Sequence, residues 1–161
     1  SADYCRWITE DLGFDAAINY KTEDVGAALD RHCPNGIDIN FENVGGPIMD
    51  AVLARMNNFS RMPLCGMIST YNAEDAPRPA NFPLILMKRI KVQGFIVIDY
   101  FPRLGEAIQN LAEWVLSGQI KYKVHIEHGL ENAADAVNRL FTGEHDGKLL
   151  VQIADLPDGV Q

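Results

Sequence analysis

Strand-like and helix-like segments alternate along the first 118 residues, and this alternation limits the possible folds more than any other feature. Strands are predicted by short apolar runs at 16–19, 37–41, 62–69 and 91–98. Between these runs, apolar residues recur at helical spacing. Because such alternation is typical of a parallel sheet with crossover helices, the sequence predicts an α/β domain over this part of the chain.

The remaining residues have a different pattern. Residues 122–153 predict a strand, a helix and a further strand, and a polar segment follows them. This change of pattern is typical of a second structural unit. We therefore predict three parts of the chain: residues 1–120, residues 121–155 and a tail at 156–161.

Composition excludes several classes of partner. The net charge of −8 argues against nucleic acid, which requires clustered Lys and Arg. The longest apolar runs, such as 95–98, are too short to cross a membrane. Cys5, Cys33 and Cys65 lie far apart and form no CxxC pair, which favours a reducing compartment such as the cytoplasm. Since zinc requires about four convergent ligands, we predict no metal site.

Polar groups follow three of the predicted strands. An open parallel sheet binds its ligand beyond the carboxyl ends of its strands. Three such ends lie at 43–46, 69–72 and 95–97. They offer, respectively, the amide of Asn43, a cluster of hydroxyl groups, and backbone N–H and C=O groups suited to a flat amide. We expect these segments to line one crevice.

The turn after the second predicted strand contains two consecutive glycines. The segment GGPIMD at 45–50 does not match the phosphate-binding GxGxxG pattern, and Pro47 lacks the N–H that would hold a phosphate. We predict that the glycines permit a sharp turn and the close approach of a ligand. The alternative is a tight turn that binds nothing.

Several blocks of sequence resemble a known family when they are taken as a set. These blocks are FENVGG at 41–46, CGMISTYN at 65–72, QGFIV at 93–97, WVLSGQIKYK at 114–123 and the run from Gly129. They resemble the zinc-independent medium-chain dehydrogenase/reductases, in the branch that contains leukotriene B4 12-hydroxydehydrogenase, prostaglandin reductase and curcumin reductase. The resemblance extends over nearly the whole chain.

The resemblance implies a particular fold. It implies a partial Rossmann domain, with a doubly wound, mostly parallel sheet that lacks its first strands, and the phosphate turn would precede Ser1. The C-terminal strand-helix-strand would belong to a GroES-like catalytic domain. In the Rossmann strand order, this arrangement leaves unpaired edges beside 16–19 and 37–41. We expect these edges to pair with a second copy or with a preceding part of the polypeptide.

The resemblance also implies an activity. It implies an oxidoreductase that uses NADP(H) to reduce the activated carbon–carbon double bond of an enone or enal, an alkenal/one reductase activity. The implied partners are a small-molecule substrate and, in a homodimer, a second copy. Two alternatives stay open at this point: a quinone oxidoreductase of the same superfamily, and a non-catalytic nucleotide-binding or dimerisation module.

Individual residues take roles from the same resemblance. Tyr20 is similar to a tyrosine beside the adenosine 2′-phosphate, and Asn43 to an asparagine that contacts the cofactor. The stretch that lines the nicotinamide ribose and pyrophosphate would be Cys65, Gly66, Met67, Ile68, Ser69, Thr70 and Tyr71. The backbone that meets the carboxamide would be that of Phe95, Ile96 and Val97. Tyr71 is the catalytic candidate, and the alternative is that its ring only packs on the cofactor.

Two positions depart from the family pattern. Tyr4 stands where relatives carry a lysine that contacts the 2′-phosphate, so Arg6 or Lys21 is the candidate to supply a positive charge. This departure leaves NADP against NAD undecided by sequence. His145 stands where relatives carry an asparagine that contacts the cofactor.

Overall fold

A computed structural model describes residues 1–71 and 79–155, which form two compact units. The first unit is Ser1–Ala107, and the second begins at Ile108. Asn72 and the predicted tail at 156–161 lie outside the described residues. The division falls before the boundary predicted at 120, and the assignment of 121–155 to a catalytic domain stays a prediction. In the described ranges, no helix is long and apolar enough to cross a bilayer.

The first unit is built on a parallel sheet. Its strands are β1 (Ile37–Ile39), β2 (Met56–Leu64) and β3 (Lys91–Gly94), in the spatial order β1-β2-β3. Its helices are α1 (Ala2–Arg6), which a π-helical turn at Trp7–Asp11 continues, α2 (Val25–His32), α3 (Gly46–Arg55) and α4 (Leu84–Met87). α3 links β1 to β2, and α4 lies between β2 and β3. The predicted α/β class with a parallel sheet is therefore confirmed.

The core of this unit lies between α3 and the sheet. α3 buries Val52 and Leu53 in one apolar cluster with Met56, Met62 and Ile90. Burial of each large apolar side chain contributes about 1.5–3 kcal/mol. The cluster fixes α3 against β2, and it thereby fixes the turn from which α3 starts.

The second unit contains a smaller parallel pair. Its strands are β4 (Val124–His128) and β5 (Lys148–Gln152), and α6 (Ala133–Thr142) connects them. α5 (Leu104–Leu116) carries the chain from the first unit into the second. α6 ends at Gly143, whose φ of 73° is the left-handed conformation that glycine adopts readily. The predicted strand-helix-strand pattern over 122–153 is confirmed.

The predicted strand at 16–19 is wrong. These residues form no ladder with any strand of the described chain. Local groups satisfy the backbone at the end of the segment instead, since Asn19 N donates to the Glu23 carboxylate and Asn19 O accepts from Thr22 N. α2 then begins at Val25, and its N-cap is Asp24, whose carboxylate accepts from Ala27 N.

Two other predicted strands have the wrong ends. β2 covers Met56–Leu64 rather than 62–69, and its chain continues as a loop with a 3₁₀ turn at Ile68–Thr70. β3 ends at Gly94 rather than at 98, and a 3₁₀ helix follows it. Leu64 and Gly94 form the last pair of the β2–β3 ladder, so neither strand has a ladder partner beyond that pair.

Candidate functional site

The loop that follows β2 is built on the backbone of the segment that follows β1. The carbonyl of Glu42 accepts hydrogen bonds from Cys65 N and Gly66 N, at 2.8 and 3.3 Å. The carbonyl of Asn43 accepts one from Ile68 N at 3.2 Å. We call residues 65–71 the β2 loop. Because the carbonyls of consecutive residues after β1 accept hydrogen bonds from amides of this loop, the segments that follow β1 and β2 are held side by side.

Ser69 completes this connection. Its backbone N–H and its hydroxyl both donate to the carbonyl of Val44, at 2.9 and 2.6 Å. The hydroxyl of Thr70 donates to Met67 O at 2.8 Å, which closes the 3₁₀ turn of the β2 loop. The hydrogens of these two hydroxyls therefore hold the loop, and their oxygens can still accept hydrogen bonds.

The turn from β1 into α3 is held by a buried carboxylate. Glu42 is 3% exposed, and its Oε1 accepts hydrogen bonds from Val44 N and Gly45 N, each at 2.7 Å. Its Oε2 accepts from Asn40 Nδ2 at 2.8 Å. Because this carboxylate already occupies the amide donors ahead of α3, these donors are not available to a phosphate group.

The two glycines of this turn have the conformation that the sequence predicts. Gly45 and Gly46 have φ values of 76° and 58°, and residues with a Cβ rarely adopt such values. The prediction of a sharp turn is confirmed. Glu42 was missed by the sequence interpretation, although a carboxylate two and three residues ahead of amides in a Gly-Gly turn is the signal that would have found it.

A cavity of about 470 Å³ lies beyond the ends of β2 and β3. Its lining residues are Leu64, Cys65, Gly66, Met67, Tyr71, Gly94, Phe95, Ile96 and Asp99. We call it the strand-end cavity. Cys65 lies just beyond the end of β2, and it is exposed.

Asn43 does not line the strand-end cavity itself, but its side chain lies against Gly66, which does. A Cβ placed on Gly66 would lie 2.6 Å from Asn43 Oδ1 and 2.9 Å from Tyr71 Oη. The carboxamide and the phenol therefore meet over a glycine that leaves room for both. Tyr71 and Ile96 both line this cavity, and Asn43 lies beside its lining residue Gly66.

One hydrogen bond defines the role of the Tyr71 hydroxyl as donor and acceptor. Tyr71 Oη accepts a hydrogen bond from Met67 N at 3.2 Å. Because the oxygen acts as the acceptor in this bond, its hydrogen can be donated elsewhere. The ring is 65% exposed, so a ligand can reach that hydrogen.

Tyr20 and Ser69 lie at a different cavity, of about 480 Å³, beside the start of α2 and α3. Its acidic groups already have partners. Glu23 accepts from Asn19 N and from Arg31 Nη2, and Asp24 accepts from Ala27 N. We call it the α2 cavity. Among the site candidates, four line neither of these two cavities: Asn43, Ile68, Thr70 and Val97.

The charged candidates near the amino terminus differ in their partners. Arg6 forms an ion pair with Asp3 on α1. Lys21 forms no ion pair with any residue of the described chain. Lys21 directly follows Tyr20, which lines the α2 cavity.

The described residues do not fit a metal site. Within 1–71 and 79–155, no group of three or more His, Cys, Asp and Glu side chains is arranged to hold a metal ion. The three cysteines are separate free thiols.

Comparison with known proteins places the chain in a family. The model of the zinc-binding dehydrogenase family matches residues 12–151, and the chain belongs to that family. The resemblance to its zinc-independent branch, stated from the sequence blocks, agrees with the relatives that match.

Two curated relatives and one solved structure are similar over almost the whole chain. The NADPH-dependent curcumin reductase of Escherichia coli is 42% identical over 159 residues, which cover 95% of this chain and 46% of that protein. The NADP(+)-dependent 2-alkenal reductase of Nicotiana tabacum is 43% identical over 144 residues, 89% of this chain and 42% of that protein. CurA of Vibrio vulnificus in complex with NADPH is 42% identical, with a TM-score of 0.88, over 96% of this chain and 48% of that chain.

The chain thus spans about half the length of the curated relatives it matches. A more distant structure, the Escherichia coli quinone oxidoreductase complexed with NADPH, has a TM-score of 0.78 at 21% identity, and it shows the shared Rossmann-like fold alone.

Proposed function

We propose that the polypeptide carrying this sequence is an NADPH-dependent oxidoreductase that reduces the activated carbon–carbon double bond of enones and enals. This chain contributes part of the cofactor site in that proposal. The observation that carries it is the identity of 42–43%, over nine-tenths of the chain, to reductases named for curcumin, an enone, and for 2-alkenals. No comparable identity links the chain to the quinone oxidoreductase, so the enone or enal is the substrate we propose.

The residues of the strand-end cavity fit the nicotinamide end of NADPH. Apart from the carboxylate of Asp99, they offer uncharged donors and acceptors, which suit a carboxamide and a ribose. Gly66 leaves the space into which Asn43 and Tyr71 point, and a Cβ there would fill it. Asn43, Tyr71 and the backbone of 95–97 would hold this end of the cofactor. The amides ahead of α3 are taken by Glu42, so the diphosphate must be held by other groups.

The chemistry of the bound cofactor and that of the chain are complementary. NADPH supplies a hydride for the β-carbon of the substrate when it is bound. The substrate oxygen gains negative charge as this happens, and a hydrogen-bond donor placed there lowers the barrier. The phenol of Tyr71 is the donor that we propose, because Met67 N already occupies its oxygen as an acceptor and directs its hydrogen elsewhere. The site would orient the reactants.

The α2 cavity is the site that we propose for the adenosine end. Tyr20 would stack on or beside the adenosine, and Lys21 would supply the charge that favours a 2′-phosphate. This assignment gives NADP rather than NAD a physical basis in a chain that has Tyr4 where relatives carry lysine.

We further propose a homodimer in a cytoplasmic setting. β3 is an edge strand of its sheet, its four residues are exposed, and an open edge pairs readily with a second copy. Free thiols at all three cysteines support a reducing compartment. Light scattering combined with size exclusion should give twice the chain mass, and a monodisperse monomer would exclude the dimer.

Two measurements test the proposed function. Fluorescence energy transfer from the tryptophans to NADPH should report saturable binding by this chain. The full polypeptide that carries the sequence should then oxidise NADPH with enals and enones, and do so faster than with quinones. Binding without turnover of any substrate would support a nucleotide-binding module instead, and turnover of quinones alone would support the quinone oxidoreductase.

A further inference from the structure

We infer that Glu42 is a positioning residue for the cofactor site, an inference that rests on the proposed function. Glu42 is one of two buried polar residues in the described part of the chain, and it touches neither cavity. Its influence therefore passes through the backbone that it holds.

Glu42 connects three segments at once. Its carboxylate binds the amides of Val44 and Gly45 and the side chain of Asn40. Its N–H donates to Pro63 O at 2.9 Å, and its carbonyl holds Cys65 and Gly66. A single buried residue thus joins the turn ahead of α3 to the end of β2 and to the start of the β2 loop.

The carboxylate fixes where the carbonyls after β1 point. The amides of Val44 and Gly45 belong to the same planar peptide groups as the carbonyls of Asn43 and Val44, so the carboxylate that holds these amides also orients those carbonyls. The carbonyls of these two residues accept from Ile68 N and from Ser69 N. If this hold loosens, the β2 loop loses the acceptors that hold it. Tyr71, at the end of that loop, then loses its place beside Asn43.

A charged acceptor is required for this role. A carboxylate offers several acceptor positions and no donor, and hydrogen bonds to it are stronger than those between neutral groups. In Glu42→Gln one acceptor becomes an NH₂ group, which cannot accept from Asn40 or from a backbone amide. The substitution keeps the shape of the side chain and removes its charge.

The test compares amide hydrogen exchange in the 161-residue chain and in its variants. Glu42→Gln should raise the exchange rates of the amides of Cys65, Gly66, Ile68 and Ser69 about tenfold. The NADPH dissociation constant should rise by about the same factor.

Asp50→Asn is the matched control. Asp50 is half-buried, it lines neither cavity, and its carboxylate accepts from Asn81 N at 2.7 Å and from Asn81 Nδ2 at 3.1 Å. The Asp50→Asn substitution should lower the melting temperature without raising amide exchange in the β2 loop or weakening NADPH binding. If Glu42→Gln does not fold, Glu42→Asp keeps the charge but shortens the reach, and it should loosen the same four amides.

Two results separate the inference from the proposed function. Equal exchange at the four amides in Glu42→Gln and in the wild type would overturn the positioning role. An absence of NADPH binding by the wild-type chain would count against the cofactor site proposed for this chain and would leave the hold of Glu42 on the β2 loop standing, because the exchange measurement needs no cofactor.

Discussion

Gly66→Ala tests the assignment of the strand-end cavity most sharply among single substitutions. The new Cβ would lie 2.6 Å from Asn43 Oδ1 and 2.9 Å from Tyr71 Oη, whereas ordinary contacts begin at 3.4 Å. The carboxamide must therefore retreat by about 0.8 Å and the phenol by about 0.5 Å. The φ of Gly66 is not in the left-handed region, so alanine adds no backbone strain.

The two displaced groups determine the expected size of the effect. If each loses one hydrogen bond to the cofactor, worth about 1 kcal/mol, the NADPH dissociation constant rises roughly 30-fold. The stability cost should stay below about 1 kcal/mol, because the clash involves the ends of two side chains rather than a packed core. Fluorescence titration measures the first quantity, and chemical denaturation measures the second.

The matched control for this variant is Gly105→Ala. A Cβ on Gly105 meets nothing within 4 Å, and Gly105 lies in the first turn of α5. It should leave NADPH affinity unchanged and leave stability equal or slightly raised, because alanine favours a helix. Gly66→Ala with wild-type affinity and an intact fold would refute the assignment of Asn43 and Tyr71 to the cofactor.

Three further predictions address catalysis, cofactor choice and stability. Tyr71→Phe should lower kcat of the full polypeptide about 10–100-fold with little change in KM if the hydroxyl assists the reaction, whereas unchanged kinetics would mean that the ring only packs. Lys21→Ala should weaken NADPH about threefold without affecting NADH, measured at low salt, and equal weakening of both would remove Lys21 from the 2′-phosphate site. The hydrogen bond from Arg55 lowers the pKa of Asp30, so this pair stabilises the fold above the unfolded pKa near 4, and the stabilisation is lost as pH falls through the lower folded pKa. The melting temperature of Asp30→Asn should therefore be lower than that of the wild type at pH 7. Near pH 2 the two melting temperatures should be equal, and a difference that persists there would contradict this account.

The sequence predicts the elements that depend on local pattern. The apolar stripe of α3 and the alternation of β4 are visible in the residues themselves, and the structure has both elements. The chemistry of a Gly-Gly turn is equally local, and the predicted sharp turn is present at Gly45 and Gly46. These successes share one cause, because each is decided by residues within a few positions of one another.

The errors have a different origin. An apolar run such as 16–19 becomes a strand only if another strand lies beside it. The residues of the run do not indicate whether such a neighbouring strand is present. The ends of β2 and β3 are fixed by their mutual register, which a single segment does not reveal. The role of Glu42 depends on contacts with 63–66, and these exist only once β1 and β2 are adjacent.

The central claim is that the tips of β1, β2 and β3 form one site for the nicotinamide end of NADPH. Amide hydrogen exchange of the chain with and without NADPH tests this claim most directly. The account predicts slower exchange with NADPH at 43–46, in the β2 loop and at 95–97, and no change in α6. Exchange that is unchanged at these three segments when NADPH is saturating, or slowed only in α6, would contradict it.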